Sequence, residues 1–313
     1  MEIQHRLEVF APDGIGEVTE GTDLAALARP YVVDGDVLVV TSKVVSKAEG
    51  RVVVRDREQA IRDETVRVVA RRGPTSIVET RIGVVMAAAG VDASNVATGS
   101  VVLLPLDPDA SARRIREDLA ATGVDAAVIV TDTAGRAWRH GQVDLALGVA
   151  GMVPMVSFEG TVDGYGNALA VTAPAVADEI AGFAEVVSGK LGGRPFTIVR
   201  GLADRVLPRG EHGPGALSLV REAGTDMFGL GSREAVVAAL ARRDRHVFGL
   251  AAAPEDVVAA LDECGLEAAV LDNTVRVSGG PGDVRIGAVA FAHGWDVDAA
   301  LSTDSATVLV RLS

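Results

Sequence analysis

The sequence predicts a mixed α/β fold, and three observations carry that expectation. Continuous apolar runs such as DVLVV (36–40) and AAVIV (126–130) have the character of strands buried on both faces. Amphipathic stretches with capping residues alternate with them, as over 109–121 and 174–190. Glycine is abundant, at 35 of 313 residues, against a usual share of ~7%. Such a content suits a backbone that turns often and approaches other groups closely.

Taken in order, residues 3–10 read as a strand. A helix follows, capped by Thr22 or Asp23 and running to Arg29, where Pro30 ends it. Residues 36–41 form a buried strand. The spacing predicts a helix over 57–72, with Ile61, Val68 and Val69 among its apolar positions and Gly73-Pro74 as its stop. Strands are expected over 76–79, 83–88 and 101–104. Asp109 or Ser111 caps a helix through Ala121, with Gly123 at its end. The strand 126–130 feeds straight into the polar run TDTAGR (131–136). A strand at 153–157, a helix over 174–190 and a strand at 196–199 come next. Residues 202–215, rich in Gly, Pro and charge, read as a long loop of the kind that is often functional. From about Thr225 the texture changes, with helices over 232–243 and 254–264 and short strands ending at 308–312. The expected division is therefore a main domain over 1–225 and a small α/β appendage over 226–313.

Composition excludes several classes of function. The net charge of −13 leaves no basic surplus for a phosphate backbone or an anionic membrane. One cysteine, Cys264, rules out a disulfide framework and a multi-thiolate metal site. The start MEIQHRLEVF lacks the basic and apolar regions of a signal peptide, and no apolar run approaches the ~18 residues of a membrane span. A cytoplasmic protein is expected. Of thirty basic residues only three are Lys, and two of them, Lys43 and Lys47, fall within TSKVVSK (41–47). Lysine is a compact point charge where arginine is a planar fork, so in an Arg-biased chain this pairing points to a phosphate site.

Three polar clusters follow apolar strands, where α/β architectures place ligands. In TSKVVSK, Ser42 offers a hydroxyl to a phosphate and Lys47 lies five residues on, at a helical turn; the P-loop pattern is absent. A capped turn with a solvated lysine uses the same letters. In AGVDASN (89–95), Asp92, Ser94 and Asn95 stand between two apolar runs, and taken alone they are better read as an Asx turn with purely local hydrogen bonds. In TDTAGRAWRHGQ (131–142), Asp132 has the usual position of a carboxylate holding Mg²⁺ or Mn²⁺ near phosphates, and Thr133 adds an oxygen. Arg136 and Arg139 are forks suited to anionic substrate groups; a helix N-cap with surface arginines is the structural alternative. No H-E-x-x-H, G-x-S-x-G or strand-borne G-x-G-x-x-G occurs, so zinc hydrolases, serine hydrolases and Rossmann dehydrogenases have no support. The residues by themselves lead to metal-dependent phosphate chemistry.

These clusters, in this order, resemble the coenzyme F420:L-glutamate ligase family. The matching stretches are GIGEV (14–18), VVTSKVVSKAEG (39–50), AAAGVDASNV (87–96), TDTAGRAWRHGQ (131–142), DGYGNAL (163–169) and VADEI (176–180), within residues 1–230. The resemblance implies a mixed α/β fold in two interlocked parts and a homodimer. It also implies an enzyme that uses GTP to join L-glutamate to the lactyl carboxylate of F420-0, or of dehydro-F420-0, through an acyl phosphate. It places Ile15, Gly16, Glu17, Val18, Ser42, Lys47 and Asn95 around the nucleotide. Asp92 and Asp132 hold one divalent cation, Mg²⁺ or Mn²⁺, and Thr133 a second; Glu211, in the long loop, sits where relatives carry an acidic metal ligand, and a monovalent cation also fits that chemistry. Lys47, Asp132 and Arg136 are the residues expected to act on the reacting groups. Two departures stand out. Gly16 occupies a position where relatives often have Pro, and the chain after Arg245 is too short for the flavin-binding reductase domain of some actinobacterial relatives. A metal-dependent phosphohydrolase and a non-catalytic nucleotide-binding paralogue are the competing readings.

Overall fold

A computed structural model describes residues 6–312. The chain forms two compact units, one comprising residues up to Arg67 and Val78–Val220, the other Val68–Ile77 and the chain from Arg221. The fold is mixed α/β.

The first unit contains β1 (Glu8–Phe10), α1 (Leu24–Ala28), β2 (Val37–Thr41), α2 (Ser42–Ala48), β3 (Val52–Val54) and α3 (Arg57–Glu64). It continues with parts of β4 (Thr65–Arg72) and β5 (Thr75–Thr80), then β6 (Val85–Ala87), β7 (Ser100–Val102), α4 (Pro108–Ala121), β8 (Ala127–Gly135), β9 (Gln142–Ala150), α5 (Val176–Ser188) and β10 (Phe196–Arg200). Five strands form its main sheet in the order β1-β10-β2-β8-β9. β2 and β8 are parallel, and the other pairings are antiparallel. The apolar runs are continuous because both faces of this sheet are covered. Leu38, Val40, Val128 and Val130 pack with α1 and α4 on one side; Val37, Val39, Ala127 and Ile129 pack with α5 on the other.

Several elements differ from the expectation for identifiable reasons. The predicted helix 57–72 stops at Glu64, and Thr65 opens β4. Thr65, Val66, Val68 and Val69 are β-branched, which favours extended backbone, and Gly73-Pro74 joins β4 to β5 instead of ending a helix. Helix α4 is capped by Asp107, whose side chain accepts from the Ala110 amide at 2.9 Å, with Pro108 in the first turn. Asp109 serves elsewhere, accepting from the amides of Val149 (2.8 Å) and Ala216 (2.7 Å). Strand β8 does not end at 130 but runs to Gly135 because β9, absent from the sequence reading, pairs along it. Residues 153–157 form no strand, and the first strand begins at Glu8; residues 3–5 of the expected one lie outside the described residues.

The second unit holds α6 (Ser232–Ala241), α7 (Pro254–Glu263), β11 (Ala268–Leu271), β12 (Thr274–Ser278), α8 (Val284–Ala292), β13 (Trp295–Thr303) and β14 (Ala306–Arg311). Its antiparallel sheet has the order β11-β12-β14-β13. Val275, Val277, Leu309 and Trp295 pack against Val257, Leu261, Ile286 and Ala290 of α7 and α8. The outer end of the β4–β5 hairpin belongs to this unit: the Gly231 amide donates to the Val69 carbonyl (2.8 Å), and Glu234 accepts from the Arg71 amide (3.0 Å).

Candidate functional site

β8 outruns its parallel neighbour. β2 ends at Thr41, level with Thr131, and turns directly into α2. Residues 132–135 therefore pair only with β9, and their other edge is left open at the carboxyl ends of the parallel strands. That is where α/β sheets place ligands, because the strands diverge and the helix after each turns away.

Helix α2 gathers the polar clusters at this edge. The Ser42 hydroxyl, at its first residue, lies near enough to the Asp132 carboxylate to favour its charged form. Lys43 reaches Asp92 at 2.5 Å and donates to the Ser94 hydroxyl at 2.7 Å. Lys47, one turn further along the same face, pairs with Glu17 at 2.5 Å. The Lys47 side chain is only 10% exposed, whereas its partner Glu17 is 74% exposed. Within that segment Val18 is buried in the core, Ile15 packs against it and Gly16 is exposed.

The other face of β8 carries a second network. Thr131 and Thr133 project towards the α5 side, where their hydroxyls donate to the two oxygens of Asp144 at 3.1 and 2.7 Å. A register shift after Val130, with Leu147 as the extra residue of β9, sets Asp144 opposite Thr133. Lys190, just beyond α5, donates to the Thr133 hydroxyl at 2.5 Å, pairs with Glu185 and lies 3.6 Å from Asp144.

Charge is unevenly balanced here. Burial pushes the Asp132 carboxyl up from 3.8 to about 6; the Thr133 amide and Ser42 hydroxyl oppose the rise, while the negative charges of Asp144 and Asp92 add to it. Burial also acts upward on Asp92, but Lys43 together with the amide and hydroxyl of Ser94 outweighs it and holds that carboxyl below its ordinary value. Burial acts downward on the Lys190 ammonium, and Glu185, Asp144 and Asp132 reverse the sign and raise it.

Comparison with known proteins gives the family. Residues 55–201 match the model of the family described as F420-0:Gamma-glutamyl ligase. The chain is 44% identical over 222 residues to the coenzyme F420:L-glutamate ligase of Archaeoglobus fulgidus, spanning 63% of this chain and 88% of that protein. The chain belongs to the F420:L-glutamate ligase family. Proteins of the same name from Halobacterium salinarum and Natronomonas pharaonis are 40% and 39% identical, over 87% and 86% of their lengths and 62% of this chain in both cases.

Within this F420:L-glutamate ligase fold, most of the expected site residues converge. Asp132, Ser42, Asp92, Lys47 and Glu17 meet around α2, Thr133 lies on the same strand, and Asn95 follows Ser94 on an exposed turn with φ of +56°. Arg136 stands apart in the exposed β8–β9 turn, donating to the His140 carbonyl at 3.3 Å. Glu211 is at the opposite end of β8, where its main-chain carbonyl accepts from Arg116, which also bonds Ala126 and Asp125. Asp144 and Lys190 are members of the site that motif reading did not select, while Lys43 was marked only by its pairing with Lys47. The scarcity of lysine was the available signal: all three lysines of the chain lie here.

The donor set fits a hard divalent cation. The Asp92 charge is felt at Asp132, both side chains offer carboxylate oxygens, and burial disfavours the negative charge on Asp132. Among the described residues no group of three or more acidic, imidazole or thiol side chains forms a complete cage. A small cation bound through one or two carboxylates, with phosphate oxygens and water for the rest, needs none.

Proposed function

We propose that the chain joins L-glutamate to the lactyl carboxylate of F420-0, or its dehydro form, in a GTP-dependent reaction through an acyl phosphate. The observation that carries the reading is the convergence, at the open edge of β8, of the Asp132 and Asp92 carboxylates with lysines on either side. A carboxylate is a poor electrophile, and an attack by one anion on the γ-phosphate of another demands positive charge. The acceptor carboxylate oxygen bonds to the γ-phosphorus as the bond to the β-phosphate oxygen breaks, releasing GDP. The glutamate amine then attacks the carbonyl carbon; phosphate leaves, and one proton goes to solvent.

In this reading Lys47 and the segment 14–18 bind the nucleotide, with the Ser42 hydroxyl fixing the orientation of Asp132. Asp132 and Asp92 would hold a divalent cation. When bound, it neutralises phosphate charge during transfer. The half-buried, sheet-borne position of Asp132 keeps its carboxylate in place without reorganisation.

The test incubates the protein with F420-0 or its dehydro form, L-glutamate, GTP and Mg²⁺ or Mn²⁺, and follows products by mass spectrometry. A glutamylated product with equimolar GDP, lost in Asp132→Ala and Lys47→Ala, supports the reading. GTP hydrolysis that ignores acceptor and glutamate favours the phosphohydrolase. Nucleotide binding without turnover on either acceptor favours a non-catalytic paralogue.

A further inference from the structure

We propose that Lys190 binds a substrate carboxylate, on the side of β8 opposite the nucleotide-binding Lys47; this rests on the ligase reading above. Lys43 and Lys47 occupy the β2–α2 flank, whereas Lys190 stands on the α5 face of the same strand. The chain has turned to place it there. Helix α5 ends at Ser188, Gly189 takes φ of +64°, and the next residue folds back over β8.

The ammonium is held from several directions. Thr133 spends its own hydrogen on Asp144 and so presents a lone pair to Lys190. Glu185 takes a second donor, and Asp144, at 3.6 Å, is beyond hydrogen-bond reach of the third. One N–H therefore has no acceptor in this network, and the side chain is 60% exposed. A lysine that only fastened α5 to the sheet would gain nothing from that open side. A fixed, charged ammonium with a donor facing solvent, next to Thr133 and near Asp132, is suited to an incoming carboxylate. In the ligase reading the nucleotide phosphates have Lys47 on the other flank, which leaves the carboxylates of F420-0 or L-glutamate as the anions for Lys190.

The test compares wild type with Lys190→Met, which keeps the stem and removes the charge. It measures KM separately for F420-0, L-glutamate and GTP, with thermal denaturation as a control on folding. The expected result is a 10- to 100-fold rise in KM for one of the two carboxylate substrates and less than a twofold change for GTP. The substrate affected identifies the carboxylate. A Lys190→Cys variant in a Cys264→Ser background, alkylated with 2-bromoethylamine, restores an ammonium of nearly the same length and should restore that KM. Unchanged KM values for both carboxylate substrates, an equal rise for GTP, or a loss of stability with kinetics that alkylation does not restore each overturn the proposal. Wild-type protein that makes no glutamylated product overturns the ligase reading itself, which separates the two failures.

Discussion

Replacing Asp132 by Asn should make the metal-free protein more stable and the enzyme inactive. A carboxyl raised from 3.8 to about 6 on folding binds its proton in the native state at a higher pH than in the unfolded chain. Below about pH 4 both states are protonated and folding is unaffected. As pH climbs past about 6 the native state must carry the charge it resists, which corresponds to about 3 kcal/mol of lost stability. Asn carries no charge, keeps nearly the same shape and leaves an oxygen for the Ser42 hydroxyl and the Thr133 amide. Exchanging charged for neutral hydrogen bonds returns about 1 kcal/mol of that gain. The expected net is about 2 kcal/mol in favour of Asp132→Asn at pH 7.5, shrinking to nothing near pH 4. Urea denaturation of both proteins in EDTA at the two pH values measures it. A variant no more stable than wild type at pH 7.5, or equally stabilised at both pH values, would refute the argument from burial. Adding Mn²⁺ should reverse the order, because only wild type then gains by binding it.

Three further outcomes are expected. Lys47→Ala removes a charge-assisted contact worth about 1.5–3 kcal/mol, so GTP affinity measured by calorimetry should fall about 10- to 100-fold. Gly148→Ala places a Cβ 2.1 Å from the Pro108 carbonyl oxygen; the start of α4 must move off β9, and the urea midpoint should drop by the equivalent of about 1–3 kcal/mol. Arg116→Met strips a buried guanidinium from Asp125 and from the carbonyls of Ala126, Leu207 and Pro208. It should destabilise the fold by about 3–5 kcal/mol, while a properly folded fraction keeps its KM for GTP because Arg116 lies at the far end of β8.

The main sheet was legible because double burial writes itself into the sequence as DVLVV and AAVIV. The polar clusters were legible because Ser42, Lys47, Asp92 and Asp132 follow such runs closely. Asp144 was not, since its meaning depends on β9 pairing with β8 and on one extra residue, Leu147, that sets it opposite Thr133. Lys190 is 57 positions from the hydroxyl it donates to, and local patterning carries no trace of a contact at that separation. The 57–72 segment misled because apolar spacing of seven residues fits a helix, whereas β-branched side chains and a hairpin partner decided in favour of a strand. At α4 the cap fell on Asp107 because Pro108 is best accommodated in the first turn, which freed Asp109 to tie the sheet to the chain near Ala216.

The β4–β5 hairpin changes what it means to cut this protein in two. A gene shortened to end at Val220 would still encode Val68–Ile77, now without the Gly231 amide that bonds Val69 or the Glu234 carboxylate that takes the Arg71 amide. Such a product would display an unpaired, β-branched finger and invite self-association, so its poor behaviour would say little about whether the ligase half folds by itself. A clean separation has to shorten the hairpin as well, joining Arg67 to Val78 through a new turn. The border between the two units falls at three places along the gene, after Arg67, after Ile77 and after Val220.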